Sequence, residues 1–453
     1  MRGSRAFRQQ ILSVLRRLPT RGVEPASERL IDELTDLSER GDRAGLVRLL
    51  DRSPELAPRD QERVYRRFYR AFLELGEREQ AAAALSRAAG PHNRDAGSVW
   101  REAKHGSVPT ARAMLADRLG RFVEPSATDD WLAAFDVLYD ASVPPTPTWS
   151  PHPALDDGFS RVIAGRWRFL SVSGMGWSGS GAVYDRLRDH RGAVAVAGES
   201  RLIEGRYGLA NLPVGPDHHP IALHLNLRNL YRYNLLGLAP CKDWEDYRHV
   251  RNARRSSAGP KGDVIARTGL AALHELLAAA PDEQAATVAR WSPMLLEAAT
   301  LSQVGSTERV PILDNVVHVA NLGTAGTFPD VLFFAVVRDP RDQFLDMLRS
   351  NRGYHGDPVR FANRNRKVRR VLDDVVAVGS GSVRVVSFER FVLDDDYREA
   401  MLADVIPHLG EPRSKKRRFD ASISRQNIGL WRDTDRLDEI RAIEHALPEY
   451  LVD

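Results

Sequence analysis

The most constraining stretch of this chain is Gly174–Gly181 (GMGWSGSG), set between a strand-like and a helix-like segment. Before it, Arg166–Ser173 (RWRFLSVS) reads as a strand; after it, Ala182–His190 (AVYDRLRDH) puts Val183 and Leu187 on one helical face. Ala193–Ala197 (AVAVA) is a second short apolar strand. A strand–loop–helix–strand unit of this length joins parallel strands, so an α/β sheet with a right-handed crossover is expected. The loop itself, with four glycines and two serines, is suited to anions. Unpaired N–H groups converge at the helix start, and the missing Cβ atoms let a phosphate approach the backbone closely.

A second unit of the same kind follows. Val331–Val337 (VLFFAVV) is a continuous apolar run, as the middle of a parallel sheet requires. It runs into Arg338–Asp342 (RDPRD), where Asp339 can cap a helix and Pro340 fits its first position. Val383–Phe388 (VRVVSF) reads as a further strand. Upstream, Ser27–Glu39, Ala44–Asp51, Asp60–Gly76 and Glu77–Ala89 have helical spacing and resemble a repeat-like helical module without a clean signature. The five prolines between Ala141 and Gly158 mark a boundary. The expected organisation is therefore a helical domain over 1–140, a Pro-rich linker over 141–160, and an α/β domain over 161–453. A helical insertion at about 205–310, including Thr268–Ala280 and Pro281–Ala299, would cover the ligand-binding edge of the sheet.

Composition excludes several classes. At 453 residues the chain is long enough for two or three cores. With 43% hydrophobic and 28% charged residues it is neither disordered throughout, nor collagenous, nor a membrane bundle. It has no apolar run of about eighteen residues and no secretory h-region after its basic start, so a cytoplasmic location is expected. The one cysteine, Cys241, excludes internal disulfides and a Cys-based zinc cluster. Net charge is only +4, yet six Lys leave 65 − 6 = 59 Arg. Codon bias explains most of these; a few guanidiniums at strand ends could instead recognise phosphate or sulfate.

The glycine loop leaves two chemistries open. Gly174-Met175-Gly176-Trp177-Ser178-Gly179 fits G-x-G-x-x-G, with Glu199 ending the next strand 25 residues beyond Gly174. In an NAD(P)-dependent oxidoreductase Glu199 would bind a ribose hydroxyl. A Walker-type kinase is disfavoured, because no G-K-[ST] follows.

Gly176–Gly181 (GWSGSG) also resembles the donor loop, P-[KR]-S-G-T-[TS], of sulfotransferases that use 3′-phosphoadenosine 5′-phosphosulfate (PAPS). The resemblance implies a P-loop NTPase-like α/β core. It also implies a donor site made by Gly176, Trp177, Ser178, Gly179, Ser180, Gly181 and Ala182, with Ser178–Gly181 cradling the 5′-phosphate. Trp177 stands where that family carries a charge-stabilising Lys or Arg, and Lys242 and Lys261 are substitutes by elimination. Arg338–Asp342 is similar to the family's 3′-phosphate element, which gives Arg338 the phosphate. Eight residues on, where a Ser is common, the chain has Asp346; an ionised Asp would repel phosphate, so it is expected to point elsewhere and leave Ser350 or Asn351 to serve. Ser424–Trp431 (SRQNIGLW) resembles the segment of bacterial polysaccharide and lipid-linked sulfotransferases that closes over the bisphosphate, implying roles for Arg425, Asn427 and Trp431. Val383–Phe391 resembles the strand before an E-D-L-type element, with Glu389 structural. Gly198–Ile203 (GESRLI) is similar to the tyrosylprotein sulfotransferase stretch whose Glu deprotonates the acceptor, which implies Glu199 as base. The islands span about residues 166–435.

What the resemblance implies is sulfuryl transfer from PAPS to a hydroxyl of a carbohydrate or lipid-linked glycan, leaving adenosine 3′,5′-bisphosphate. No nucleic acid and no metal are implied; His218, His219 and His224 are expected to be loop residues, and Tyr231, Tyr233 and Trp244 core rather than sugar platforms. Peripheral membrane contact and oligomerisation through the N-terminal helices stay open, as does anion steering by Arg413–Arg418 (RSKKRR). Besides the oxidoreductase, a third alternative is a nucleotide-binding assembly protein of the same fold without catalysis, motivated by Trp177 and Asp346.

Overall fold

The computed structural model describes residues 25–52, scattered positions between 64 and 84, and 96–140, 142–145, 149–199, 202–205, 207–238, 253–349, 356–379, 381–413 and 417–452. The chain forms two compact units, Met1–Arg118 and Leu119–Asp453. In the first, α1 (Pro25–Glu39), α2 (Arg43–Asp51), α3 (Ala96–His105) and most of α4 (Val108–Leu119) are helices. Asp42 caps α2 by accepting the Gly45 N–H at 2.8 Å. Ile31, Leu34, Leu46, Leu49, Phe68 and Phe72 form its core. The helices expected at 27–39 and 44–51 are present; most of 60–89 lies outside the described residues.

The second unit begins at Leu119. Helix α5 (Pro125–Tyr139) packs on the long helix α8 (Gly262–Ala278) of the second unit. It buries Trp131, Phe135 and Leu138, and Tyr231 donates its hydroxyl to the Trp131 carbonyl at 2.8 Å. An amphipathic helix joins the core that its apolar face completes, whatever turn residues follow it. Between strands β2 (Ala193–Glu199) and β3 (Val310–Asp314) lie α7 (Pro220–Asn229), a π-helical turn at Leu230–Leu235, α8 and α9 (Gln284–Val304).

Five parallel strands make the sheet: β1 (Phe169–Gly174), β2 (Ala193–Glu199), β3 (Val310–Asp314), β4 (Val331–Val337) and β5 (Val383–Ser387). Their order is β2-β3-β1-β4-β5. Even-numbered residues of β1, β3 and β4 (Leu170, Val172, Ile312, Leu332, Phe334, Val336) join one core with Val183 and Leu187 of α6 (Ser180–Arg188). On the other face Phe169, Leu313, Phe333 and Ala335 are buried as well. Burial on both faces is why VLFFAVV shows no alternation. From β1 the chain crosses to β2 on one side, whereas from β4 it crosses to β5 on the other. The carboxyl ends of β1 and β4 therefore flank a topological switch point, where open α/β sheets bind ligands. Both sequence motifs, GMGWSGSG and RDPRD, start there.

Candidate functional site

The loop leaves the sheet from a fixed root. The Gly174 N–H donates to Asn315 Oδ1 at 3.0 Å, and Asn315 Nδ2 donates to Asp314 Oδ1 at 2.9 Å. Ser173 Oγ donates to the Val317 carbonyl at 2.8 Å. Trp177 (φ 63°) and Gly179 (φ 83°) then take left-handed conformations. Left-handed residues set between right-handed ones turn successive N–H groups to one side and make an anion-binding concavity. The conformation costs a non-glycine residue about 1 kcal/mol or more, so Trp177 must be held by its surroundings.

The four glycines are not equivalent. A Cβ on Gly174 would meet Ser178 Oγ at 2.0 Å, and one on Gly179 would meet the Phe388 ring at 2.2 Å. On Gly176 or Gly181 it would meet nothing within 4 Å. Two glycines thus let the loop pack, and two face open space. Helix α6 begins at Ser180 with no side-chain cap; the Ala182 N–H bonds the Gly179 carbonyl at 3.0 Å, which leaves the N–H groups of Ser180 and Gly181 and the positive dipole end for a ligand. Ser178 is buried, and its Oγ has no hydrogen-bond partner among the described residues.

Behind the loop stands α10 (Pro340–Arg349), which starts after β4 where Asp339 accepts the Arg341 N–H at 2.8 Å, as the sequence leads one to expect. Gln343 Nε2 donates to the Met175 and Gly176 carbonyls at 3.2 and 2.8 Å. Its own Oε1 accepts from Asn365 Nδ2, on α11 (Pro358–Ala377), at 3.1 Å. Arg338 Nη1 donates to the Trp177 carbonyl at 2.9 Å and to Asp346 Oδ2 at 2.7 Å, while Nη2 reaches the Asn427 carbonyl. The guanidinium lies over the Phe388 ring, 5.2 Å from its centroid. It is 2% exposed.

The C-terminal segment docks on the same helix. Asp342 accepts the N–H groups of Gly429 (2.7 Å) and Trp431 (3.2 Å). Burial nonetheless pushes its pKa up, outweighing those bonds and the nearby Arg338. Arg341 pairs with Asp339 at 2.8 Å and Glu444 at 3.0 Å and stacks 3.7 Å above the Trp431 ring centroid. Glu389 is buried, its pKa raised by desolvation, and accepts the Asp339 N–H at 2.7 Å, a structural position. Arg369, whose pKa is lowered by burial, holds the Arg338 carbonyl at 2.8 Å.

The residues singled out in the sequence divide accordingly. The loop residues, Arg338, Asn427 and Trp431 come together around α10. Asn427 does so through its carbonyl, and Trp431 through its N–H and ring. Asp346 does not point elsewhere: it faces Arg338, because a buried guanidinium needs a counter-charge and α10 offers one two turns along. Arg425 is exposed at the end of the turn Ala421–Arg425. Ser350, Asn351, Lys242 and Trp244 lie outside the described residues, and Lys261 sits at the start of α8. His219 caps α7, and His224, expected in a loop, instead lies within α7, where it bonds the Leu138 carbonyl at 2.8 Å. Tyr231 is core, and Tyr233 stacks on Tyr207 at 4.9 Å.

Glu199 ends β2 and is described by its backbone. It pairs in register with Asp314, which in turn pairs with Val172 of β1. Two strand spacings put its Cα about 10 Å from β1. Asp314 is nearer the loop, and sequence reading passed over it. Gln343, Asn365, Asn315 and Phe388 were passed over too. The available signal was Asn365, a polar residue among the buried apolar positions Phe361, Ala362, Val368 and Leu372 of α11; Gln343 offered none.

No protein-family model and no curated protein matches the chain. Two solved structures that match are STF9 from Mycobacterium avium and STF1 from Mycobacterium tuberculosis H37Rv. Both are sulfotransferases. STF9 is 13% identical, with a TM-score of 0.31 over 78% of this chain and 90% of that one. STF1 is also 13% identical, with a TM-score of 0.31 over 77% and 92%. Likeness that distant carries no argument about chemistry, which rests on the residues themselves.

The Phe388 contact predicts one outcome directly. Gly179→Ala should lower stability by about 1–3 kcal/mol, from the left-handed φ and the ring clash together. Equal denaturation midpoints for variant and wild type would show that the loop is not packed on Phe388.

Proposed function

We propose that this protein transfers a sulfuryl group from PAPS to a hydroxyl of a carbohydrate or lipid-linked glycan. The observation that carries the reading is the assembly at one switch point of three motifs distant in sequence: the glycine loop, the β4–α10 corner and residues 427–431. The loop N–H groups and the start of α6 would hold the donor's 5′-phosphate and stabilise the charge that develops on it as the leaving group. Glu199 would take the acceptor proton from its place at the carboxyl edge of β2.

The strand order counts against the oxidoreductase. In the dinucleotide fold the acidic residue ends the strand next to β1, whereas here β3 separates β2 from β1. The catalytically inactive nucleotide-binding protein keeps one specific observation in its favour, the closure of Arg338 on Asp346 and Trp177. An Arg338 that serves the 3′-phosphate has to give up Asp346 on binding.

Two outcomes follow. Asp346→Ser should tighten adenosine 3′,5′-bisphosphate by about three- to tenfold in calorimetry, since it removes a like charge and releases Arg338. Unchanged or weaker binding would remove Arg338 from the phosphate role. Glu199→Gln should keep donor affinity and lose about 100-fold or more in turnover; an active variant would sink Glu199 as base.

A further inference from the structure

We propose that Gln343, oriented by Asn365, is the positioning residue that sets the glycine loop in its anion-accepting shape before any ligand arrives. Gln343 and Asn365 are 2% and 3% exposed and form one chain of hydrogen bonds. Asn365 Nδ2 donates to Gln343 Oε1 at 3.1 Å, which fixes the amide so that its nitrogen faces the loop. That nitrogen then serves two consecutive carbonyls, Met175 at 3.2 Å and Gly176 at 2.8 Å. In a trans peptide the N–H points opposite to the preceding carbonyl. Drawing the Met175 and Gly176 carbonyls toward α10 therefore turns the Gly176 and Trp177 N–H groups away from α10. Arg338 holds the next carbonyl, Trp177, at 2.9 Å, and the Ser178 N–H of that peptide closes the turn on the Met175 carbonyl at 2.9 Å. Three successive carbonyls are thus held from behind by side chains of one corner.

Chemistry dictates the choice of residue. The position needs two donors facing the carbonyls and one acceptor facing Asn365, which a primary amide supplies. A carboxylate would repel both carbonyls, and an aliphatic side chain would take the donor from the Gly176 carbonyl and leave the Met175 carbonyl only the Ser178 N–H, at 2.9 Å. The loop also carries a left-handed Trp177, a conformation that persists only where the surroundings impose it. Gln343 grips the peptide immediately before that residue and Arg338 the one immediately after it.

The loop part of the proposal stands by itself; its consequence for donor binding rests on the sulfuryl-transfer reading. The full chain is compared with Gln343→Leu, Asn365→Ala and the double variant. Amide hydrogen exchange of the segment 174–182 is read without ligand, and adenosine 3′,5′-bisphosphate affinity is read by calorimetry. Gln343→Leu should speed exchange of that segment by about tenfold or more while leaving the strand β4 peptide at its wild-type rate. Asn365→Ala should act in the same direction and less strongly. Because Asn365 acts through Gln343, the double variant should be no faster than Gln343→Leu alone. Bisphosphate binding should weaken in step with loop exchange. Unchanged loop exchange, additive effects, or a uniform rise across all segments would overturn the positioning role. If Gln343→Leu does not fold, the Asn365→Ala exchange pattern decides by itself. Wild-type protein that fails to bind the bisphosphate would overturn the sulfuryl-transfer reading while leaving the exchange result decisive for the loop.

Discussion

One buried guanidinium organises this half of the molecule. Taking Arg338 out of water is costly unless a counter-charge is close and polar partners meet its donors. Asp346 supplies the charge, and the carbonyls of Trp177 and Asn427 each take one further Nη donor, while Nε has no partner among the described residues. Phe388 offers its ring face. These partners come from α10, from the loop after β1, from the C-terminal segment and from the end of β5. The same ring closes the space beside Gly179, so the loop's glycine requirement and the arginine's burial share one surface. Around this centre lie Arg341 with Asp339 and Glu444, and Asp342 with the 429–431 backbone.

The arrangement separates shape from charge in the site. Shape comes from backbone: two left-handed residues, an uncapped helix start, and carbonyls drawn away by Gln343 and Arg338. Positive charge is close but committed, because Arg338 and Arg341 both face carboxylates. On the proposed reading, with Trp177 where a cation would be convenient, attraction for an anion would fall on the N–H groups and the α6 dipole, supplemented by Arg338 once it left Asp346. A dianion would then be held through geometry first and net charge second.

Much of this was legible in the sequence. The strand–loop–helix unit, the buried β4 and the Asp339-Pro340 helix start follow from periodicity and capping chemistry alone. Strand order did not follow, since β3 reaches its place beside β1 only after a long helical insertion, and periodicity carries no information about neighbours. That order moved Glu199 one strand further from the loop and brought Asp314 closer. The role of Asp346 was hidden for a related reason: reading it as a repulsive neighbour of phosphate ignored the arginine's own need for a partner. Gln343 was passed over because an amide in a helix gives no pattern until the carbonyls it faces are known. Helix α5 shows the same limit at the scale of units, its Trp131 face belonging with α8 despite the prolines that follow it.

The most direct test of the account is a calorimetric titration of the full-length wild-type chain with adenosine 3′,5′-bisphosphate, repeated with NAD(P) present. The account predicts saturable one-to-one binding that weakens as salt rises and that NAD(P) does not displace. Absence of binding at about millimolar bisphosphate, or binding of NAD(P) alone, would contradict it.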